Sequence, residues 1–422
     1  MRFAGLAVAA GITLAAGLTH AQGGGRAVML NLLPPAPVPG LGPAATVATG
    51  IWTSCAVVKG EVWCWGEMGV FGGNAPDRHV PRKTAGLRDV TQLSVSQTGA
   101  CARTAAGHVL CWGRGFGGRT PRRVPGLPAA TKVSAGSSFA CALTQDGHVA
   151  CWGDNDAGQL GQEPGGPAPA SGPTPARAAP KPRAQARKPG MRVLEAILAG
   201  PGVPGSPFGA DAGGPGADEP AAPRPAASLR ALVVPALDEV VDLAAGDRHA
   251  CAVRRTGEVI CWGDRDIERP RSPFELAGRP RAPDEPRTTT VIRTGAQHRI
   301  PKLDDAVAVS AGDRTSCALR RGGRVSCWNE YAHRRPLVGP HECTGLDDAV
   351  ALADHARYAV RATGDVVPVA SGSCYQPRPV AGVADVVEVS SHCARRRDGT
   401  IVCWGTNEHG ELGRPRAPFY LK

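Results

Sequence analysis

The chain has 422 residues, a formal net charge of +11, 55 Gly, 39 Pro and 14 Cys. That length holds two or three ordinary domains or one large repeat array. Fourteen cysteines argue against a cytosolic protein, whose thiols stay reduced, and the basic excess favours acidic partners without naming one.

Residues 1–21, MRFAGLAVAAGITLAAGLTHA, carry one basic residue, an apolar run from Phe3 to Leu18 and a small-residue ending. This is the pattern of a secretory signal peptide, with cleavage expected after Ala21. The run is short for a membrane span, and no later stretch is apolar enough to cross a bilayer. The first cysteine, Cys55, lies too far from the run to carry a lipid anchor. The mature chain is expected to be secreted or periplasmic, without a membrane span.

From there the chain repeats itself. Cysteines recur in pairs: Cys55 and Cys64, Cys101 and Cys111, Cys141 and Cys151, Cys251 and Cys261, Cys317 and Cys327, Cys393 and Cys403. Each second cysteine precedes a Trp, and each pair encloses a Gly. A further unit, YAVRATGDVVPVA, aligns without a gap to CAVRRTGEVICWG, with Tyr358 and Pro368 in the cysteine positions. The seven units start near 55, 101, 141, 251, 317, 358 and 393.

In the third unit, FACALT and HVACW alternate across Gln145-Asp146-Gly147, which reads as a β-hairpin with Gly supplying a positive φ. Pairing the strands across the Gln145-Asp146-Gly147 loop sets Cys141 opposite Cys151 and Leu143 opposite Val149. Phe139, Cys141, Leu143, Val149 and Cys151 then share one face, and Ala140, Ala142, Ala150 and Trp152 the other. Both faces are apolar, so the hairpin must be sandwiched. Seven units around an axis let each bulky face meet a neighbour's small one. The predicted fold is all-β, a seven-bladed β-propeller.

Directly opposed cysteines on neighbouring strands lie close enough for a bridge, and the sixth unit lacks both members together. Intra-hairpin disulfides are therefore expected in six blades. The alternatives are buried thiols or metal ligands, but zinc wants four donors and each hairpin offers two. Cys343 and Cys374 flank the unbridged sixth unit and are expected to pair with each other.

The phrases VSAGSSFACALTQDGHVACWGDNDAGQLG (133–161) and CWGTNEHGELG (403–413) resemble the repeat of the regulator of chromosome condensation family, in its cysteine-bearing bacterial form. The resemblance covers roughly residues 38–422 outside two insertions and implies a seven-bladed propeller. It leaves function open. The namesake is an exchange factor for a small nuclear GTPase and docks on chromatin. Other members are secreted bacterial binding proteins, some of which cap an enzyme's active site with one propeller face.

Two insertions interrupt the units, at 162–228 and 265–303, and both are expected to be disordered. The first is rich in Pro, Gly and Ala, with the basic cluster KPRAQARKPGMR and a short apolar run around Met191, Leu194, Ile197 and Leu198 that could form a brief helix. Both start just after a Cys-Trp-Gly strand, so both should project from one side of the disc. Lys181, Arg183, Arg187, Lys188, Arg269, Arg271, Arg279 and Arg281 would then form a basic patch there, facing an anionic surface polymer or an acidic protein.

At the chain ends, VPGLGPAATVATG (38–50) aligns with VPGLPAATKVSAG (124–136). Either the stretch before it, within 22–37, or the C-terminal tail must complete the sheet joining the last blade to the first.

Signatures of chemistry are missing. There is no His-Glu-x-x-His or Gly-x-Ser-x-Gly, and GRGFGG (113–118) is followed by no helix. DNDAG lacks the remaining ligands of a calcium loop and reads as a turn. Asp247, Asp313 and Asp354 read as turn-formers. The expectation is a monomeric, non-catalytic binding module without cofactor, metal or nucleic acid. The alternatives are GTPase exchange and a channel-site enzyme acting on polysaccharide, the latter needing carboxylates that converge on the axis.

Overall fold

The computed structural model describes residues 33–67, 78–163, 228–263, 296–313, 315–329, 340–369, 374 and 377–415. They form seven small antiparallel sheets, six of four strands and one, the sixth, of three. The architecture is the all-β seven-bladed propeller.

Blade 3 shows how the sequence makes a blade. Ala130–Ala135 is innermost, Phe139–Thr144 and Val149–Gly153 form the hairpin, and Ser228–Val233 is outermost. Across the hairpin Cys141 faces Cys151 and Leu143 faces Val149, the register that a three-residue Gln145-Asp146-Gly147 loop requires. The sixth unit obeys the same rule, with Tyr358 opposite Pro368 and Val360 opposite Val366.

The two faces pack as their residue sizes dictate. The bulky face of blade 3 (Phe139, Cys141, Leu143, Val149, Cys151) meets Ala250, Ala252, Ile260 and Trp262 of blade 4 in one buried cluster. Blade 2 presents Cys101, Val109 and Cys111 to Ala140, Ala142, Ala150 and Trp152 of blade 3. Between blades 7 and 1, Cys393, Ile401 and Cys403 meet Ala56 and Trp65. A small residue on one face leaves room for the indole ring and the opposed cysteines on the other, so the two faces bury each other.

The ring closes through the N-terminal side. Leu33–Pro37 is the outermost strand of the seventh sheet, pairing with Ile401–Gly405 and setting Ala36 opposite Cys403. Its sequence, LPPAP, suits an edge, where a missing N–H costs no ladder bond. Just past the outer strands, and at the matching place in blade 6, one bond recurs: Val38, Thr84, Val124, Val234, Ile300, Cys343 and Val380 donate their N–H to the third strand at Ile401, Val62, Val109, Val149, Val259, Val325 and Val366. The later part of the 265–303 segment therefore belongs to blade 4: His298–Arg299 is its outermost strand, and Ile300 and Leu303 are core.

Six disulfides lie across hairpins: Cys55–Cys64, Cys101–Cys111, Cys141–Cys151, Cys251–Cys261, Cys317–Cys327 and Cys393–Cys403. Their Cα atoms are 4.0–4.1 Å apart. The seventh, Cys343–Cys374, has Cα atoms 4.6 Å apart and joins the end of blade 5's outer strand to the segment after blade 6's third strand.

Candidate functional site

The inner strands converge on the axis, and their sequences are written for close approach. An added Cβ on Gly50, Gly136, Gly246 or Gly312 would run into the backbone carbonyl of Ser96, Gly246, Gly312 or His355, each on the following blade. The serine two residues before this position in blades 2, 3 and 5 ties adjacent blades together. Ser94, Ser134 and Ser310 accept from the N–H of Ala135, Ala245 and Ala356 at 2.8–2.9 Å. At the ring's junction Ser390 accepts from Thr49 N–H at 3.0 Å. Deeper in the channel, Gln92 brackets the backbone of Val133. Asp242 holds Lys132 and accepts from Val309 N–H at 2.9 Å.

Past these glycines the turns into the hairpins open one mouth of the channel, a cavity of about 630 Å³ to which every blade contributes. Blades 1 to 5 supply Ile51 and Trp52, Gln97, Ser137, Asp247 and Asp313. Blade 6 supplies His355, Arg357 and Tyr358, and blade 7 supplies His392, Trp404, Glu408, His409 and Glu411.

His355 takes a left-handed backbone conformation (φ 63°), which costs a side-chain-bearing residue about 1–2 kcal/mol. It lies across the axis with Nε2 3.2 Å from the carbonyl of Val95 in blade 2. His392 Nε2 is 2.8 Å from Ser54 Oγ, which donates in turn to the Glu411 carbonyl at 2.8 Å. Burial, reinforced by the neighbouring charges of Arg357 and His355, pushes the His392 imidazole down to about 3. Burial also raises the Glu411 carboxyl above its ordinary value. Its two oxygens are occupied by Thr406 Oγ1 and by His409 N–H.

At the rim, Trp52 stacks at a tilt against His409, ring centroids 4.9 Å apart, and His409 pairs with Glu67. Trp404 meets Tyr358 edge-on at 5.7 Å. Ile51 and Trp52 remain 51% and 40% exposed, more apolar surface than a channel mouth needs for its own packing.

The loop after a blade's third strand, where the Gly-x-Leu-Gly phrase survives, serves the next blade. Gln159 O accepts from Trp262 Nε1 at 3.0 Å, and Glu411 O from Trp65 Nε1 at 2.9 Å. Asn155 and Asn407 shape these loops by accepting from Leu160 and Leu412 N–H at 3.0 Å. DNDAG is thus a side-chain-nucleated turn.

Asp247 and Asp313, read from sequence as turn residues, both reach the cavity. Ser137 Oγ donates to Asp247. The eight basic residues Lys181, Arg183, Arg187, Lys188, Arg269, Arg271, Arg279 and Arg281, and the run around Met191, lie outside the described residues. What is described is where the two segments leave the ring. Gly263 closes blade 4's third strand and pairs with His249 beside a cavity turn, whereas in blade 3 the chain runs on past Gly153 through a loop whose Gln162 and Glu163 carbonyls accept from Asn155. Sequence reasoning had no access to this cavity: its residues sit in seven turns at unrelated positions, and only ring geometry gathers them.

Three stretches, 130–159, 240–265 and 306–328, match the model of the regulator of chromosome condensation (RCC1) repeat. Over 214 residues the chain is 29% identical to the mouse E3 ubiquitin-protein ligase HERC2 and 28% to the human protein. These matches cover 45% of this chain and 4% of either relative. Among solved structures, Prp20p from Saccharomyces cerevisiae superposes with a TM-score of 0.52 at 15% identity, over 87% of this chain and 84% of that one. Human WBSCR16 superposes with a TM-score of 0.53 at 13% identity, over 85% and 86%. Identities this low speak for the fold alone. The chain is a seven-bladed β-propeller, three of whose blades carry stretches that match the RCC1 repeat.

Proposed function

We propose that this chain is an exported, non-catalytic propeller that holds a protein partner on the face carrying the axial cavity. The observation that carries the reading is the exposed pair Ile51 and Trp52 at the cavity rim, backed by His409, Tyr358 and the side chains of all seven blades. An aromatic anchor beside a concave polar centre is the usual make-up of an interface hot spot. Seven disulfides fit an oxidising compartment, and no helix among the described residues is long and apolar enough to cross a membrane. Together with the signal-like N-terminus they support export. The basic residues of 162–228 and 265–303 would add contacts to an anionic partner around the same rim.

The test is site-specific photo-crosslinking on the producing cell. A crosslinker at Ile51 is expected to trap a protein. One at Val307, an exposed residue at the opposite end of an inner strand, is expected to trap none. Crosslinks from Val307 alone would sink the assignment. Binding to a purified anionic polymer with no protein trapped from Ile51 would move the contact to the basic segments.

A second reading, a channel-site enzyme acting on polysaccharide, is favoured by one observation: Asp247 and Asp313 from adjacent blades line one cavity. Chain cleavage abolished by Asp313→Asn would establish it. Prp20p is described as binding Gsp1p and histones. An exchange-factor role here would require a GTPase in the chain's own compartment.

A further inference from the structure

Each hairpin alone offers two thiols to a metal ion, half of a zinc site. At blade 5 the structure gathers three cysteine sulfurs, with the hairpin partner of one of them as a fourth beside the group. Cys343 directly follows the outer strand His341–Glu342, where blades 2 and 3 carry Val124 and Val234 and blade 6 carries Val380 at the matching place, and it makes the same backbone bond, to Val325 at 2.8 Å. That position faces the blade core, so its sulfur comes to 3.9 Å from the sulfur of Cys327. Cys374 reaches back to Cys343 from blade 6, and Cys317 is the hairpin partner of Cys327. The sulfurs of Cys327, Cys343 and Cys374 all lie within 4.8 Å of one another. All four residues are at most 2% exposed. Among the described residues this is the one group of three or more Cys, His, Asp or Glu donor atoms gathered so closely.

We propose that Cys317, Cys327, Cys343 and Cys374 form a two-state sulfur site: two disulfides when oxidised, and a tetrathiolate site for a soft divalent ion of the zinc class when reduced. A tetrahedral ion with metal–sulfur bonds of about 2.3 Å sets its ligands about 3.8 Å apart, and the Cys327–Cys343 separation already has that value. The exchange balances. Each disulfide takes two electrons and two protons from one dithiol reductant, which leaves as a cyclic disulfide. The four thiols then release four protons as they bind one ion. Elsewhere an opened bridge leaves two buried thiols, half of what zinc takes. Because the donors are buried, the ion enters as the chain folds, and metal binding is then coupled to folding. The two states stand for two compartments, so the occupant of this cluster reports where the chain matured.

The probe is cobalt(II), whose tetrahedral tetrathiolate complex gives strong visible bands. The full chain, reduced and refolded without oxygen, is expected to take one equivalent of cobalt with those bands. Cys343→Ser with Cys374→Ser is expected to lose the tetrathiolate spectrum and at least ~10-fold in affinity, since two of four ligands are gone. Cys141→Ser with Cys151→Ser is expected to keep both. As a check independent of refolding, the folded oxidised chain is opened by a dithiol in the presence of cobalt, with near-ultraviolet circular dichroism confirming that it stays folded. Absence of the bands in both formats, or bands indifferent to loss of Cys343 and Cys374, would overturn the proposal.

Discussion

At Gly246 a single hydrogen separates a closed ring from a clash. A side chain there would meet the carbonyl of Gly312 and the ring of His249, so Gly246→Ala is expected to cost about 1–3 kcal/mol, read as a lower denaturant midpoint with an unchanged slope. His392 makes a pH prediction. Its folded-state imidazole titrates at about 3, against about 6.5 in an unfolded chain. Between those values the unfolded state binds the proton and the native state does not. The contribution is whole above pH ~6.5 and is lost as pH falls towards 3, on the order of a few kcal/mol. Glu388 and Glu411, raised by burial, act with the opposite sign in the acid range, so the difference between wild type and His392→Gln isolates the histidine. That variant should show a flatter stability profile between pH 3 and 6.5; parallel profiles would contradict the assignment. Among single residues, the hairpin faces were legible because strand alternation fixes them locally. The roles of Ser94, Ser134 and Ser310 were not, because each one's partner lies in the next blade.

The hairpin is the element the sequence states most plainly: opposed cysteines, a central glycine and alternating faces force one register, and the register forces the bridge. Opening one bridge, as in Cys141→Ala with Cys151→Ala, should cost about 3 kcal/mol by the loop-closure argument, measured by equilibrium unfolding. The edge elements were less legible. LPPAP reads as a poor strand and becomes one because the seventh sheet lacks an outer member. Deleting residues 33–37 should expose the third strand of blade 7 and raise amide exchange at Cys403, while the blade 3 hairpin stays protected. Uniform loss of protection would mean that the ring opens as one cooperative unit. The end of the 265–303 segment was assigned to an insertion because its outer strand is two residues long, too short to show alternation.

At the scale of the whole molecule, the count of seven followed from repetition alone, whereas the cavity did not. Periodicity shows that turns recur, but which turn faces which across an axis depends on the closed ring. The same closure puts exposed Ile51 and Trp52 beside His409, from opposite ends of the chain. It also carries Cys374 back to Cys343 across the seam between blades 5 and 6, the one bridge that spans two blades. The proposed binding on the cavity face rests on a disulfide-stapled ring, and such bridges form in oxidising compartments. Non-reducing peptide mapping, with intact mass, of the protein recovered from outside the cytosol of producing cells examines that ring bond by bond. Expected are an N-terminus at Gln22, seven bridges with six inside hairpins, and Cys343 joined to Cys374. Free thiols in an uncleaved chain, or hairpin cysteines crossed between blades, would show that the ring is not built this way.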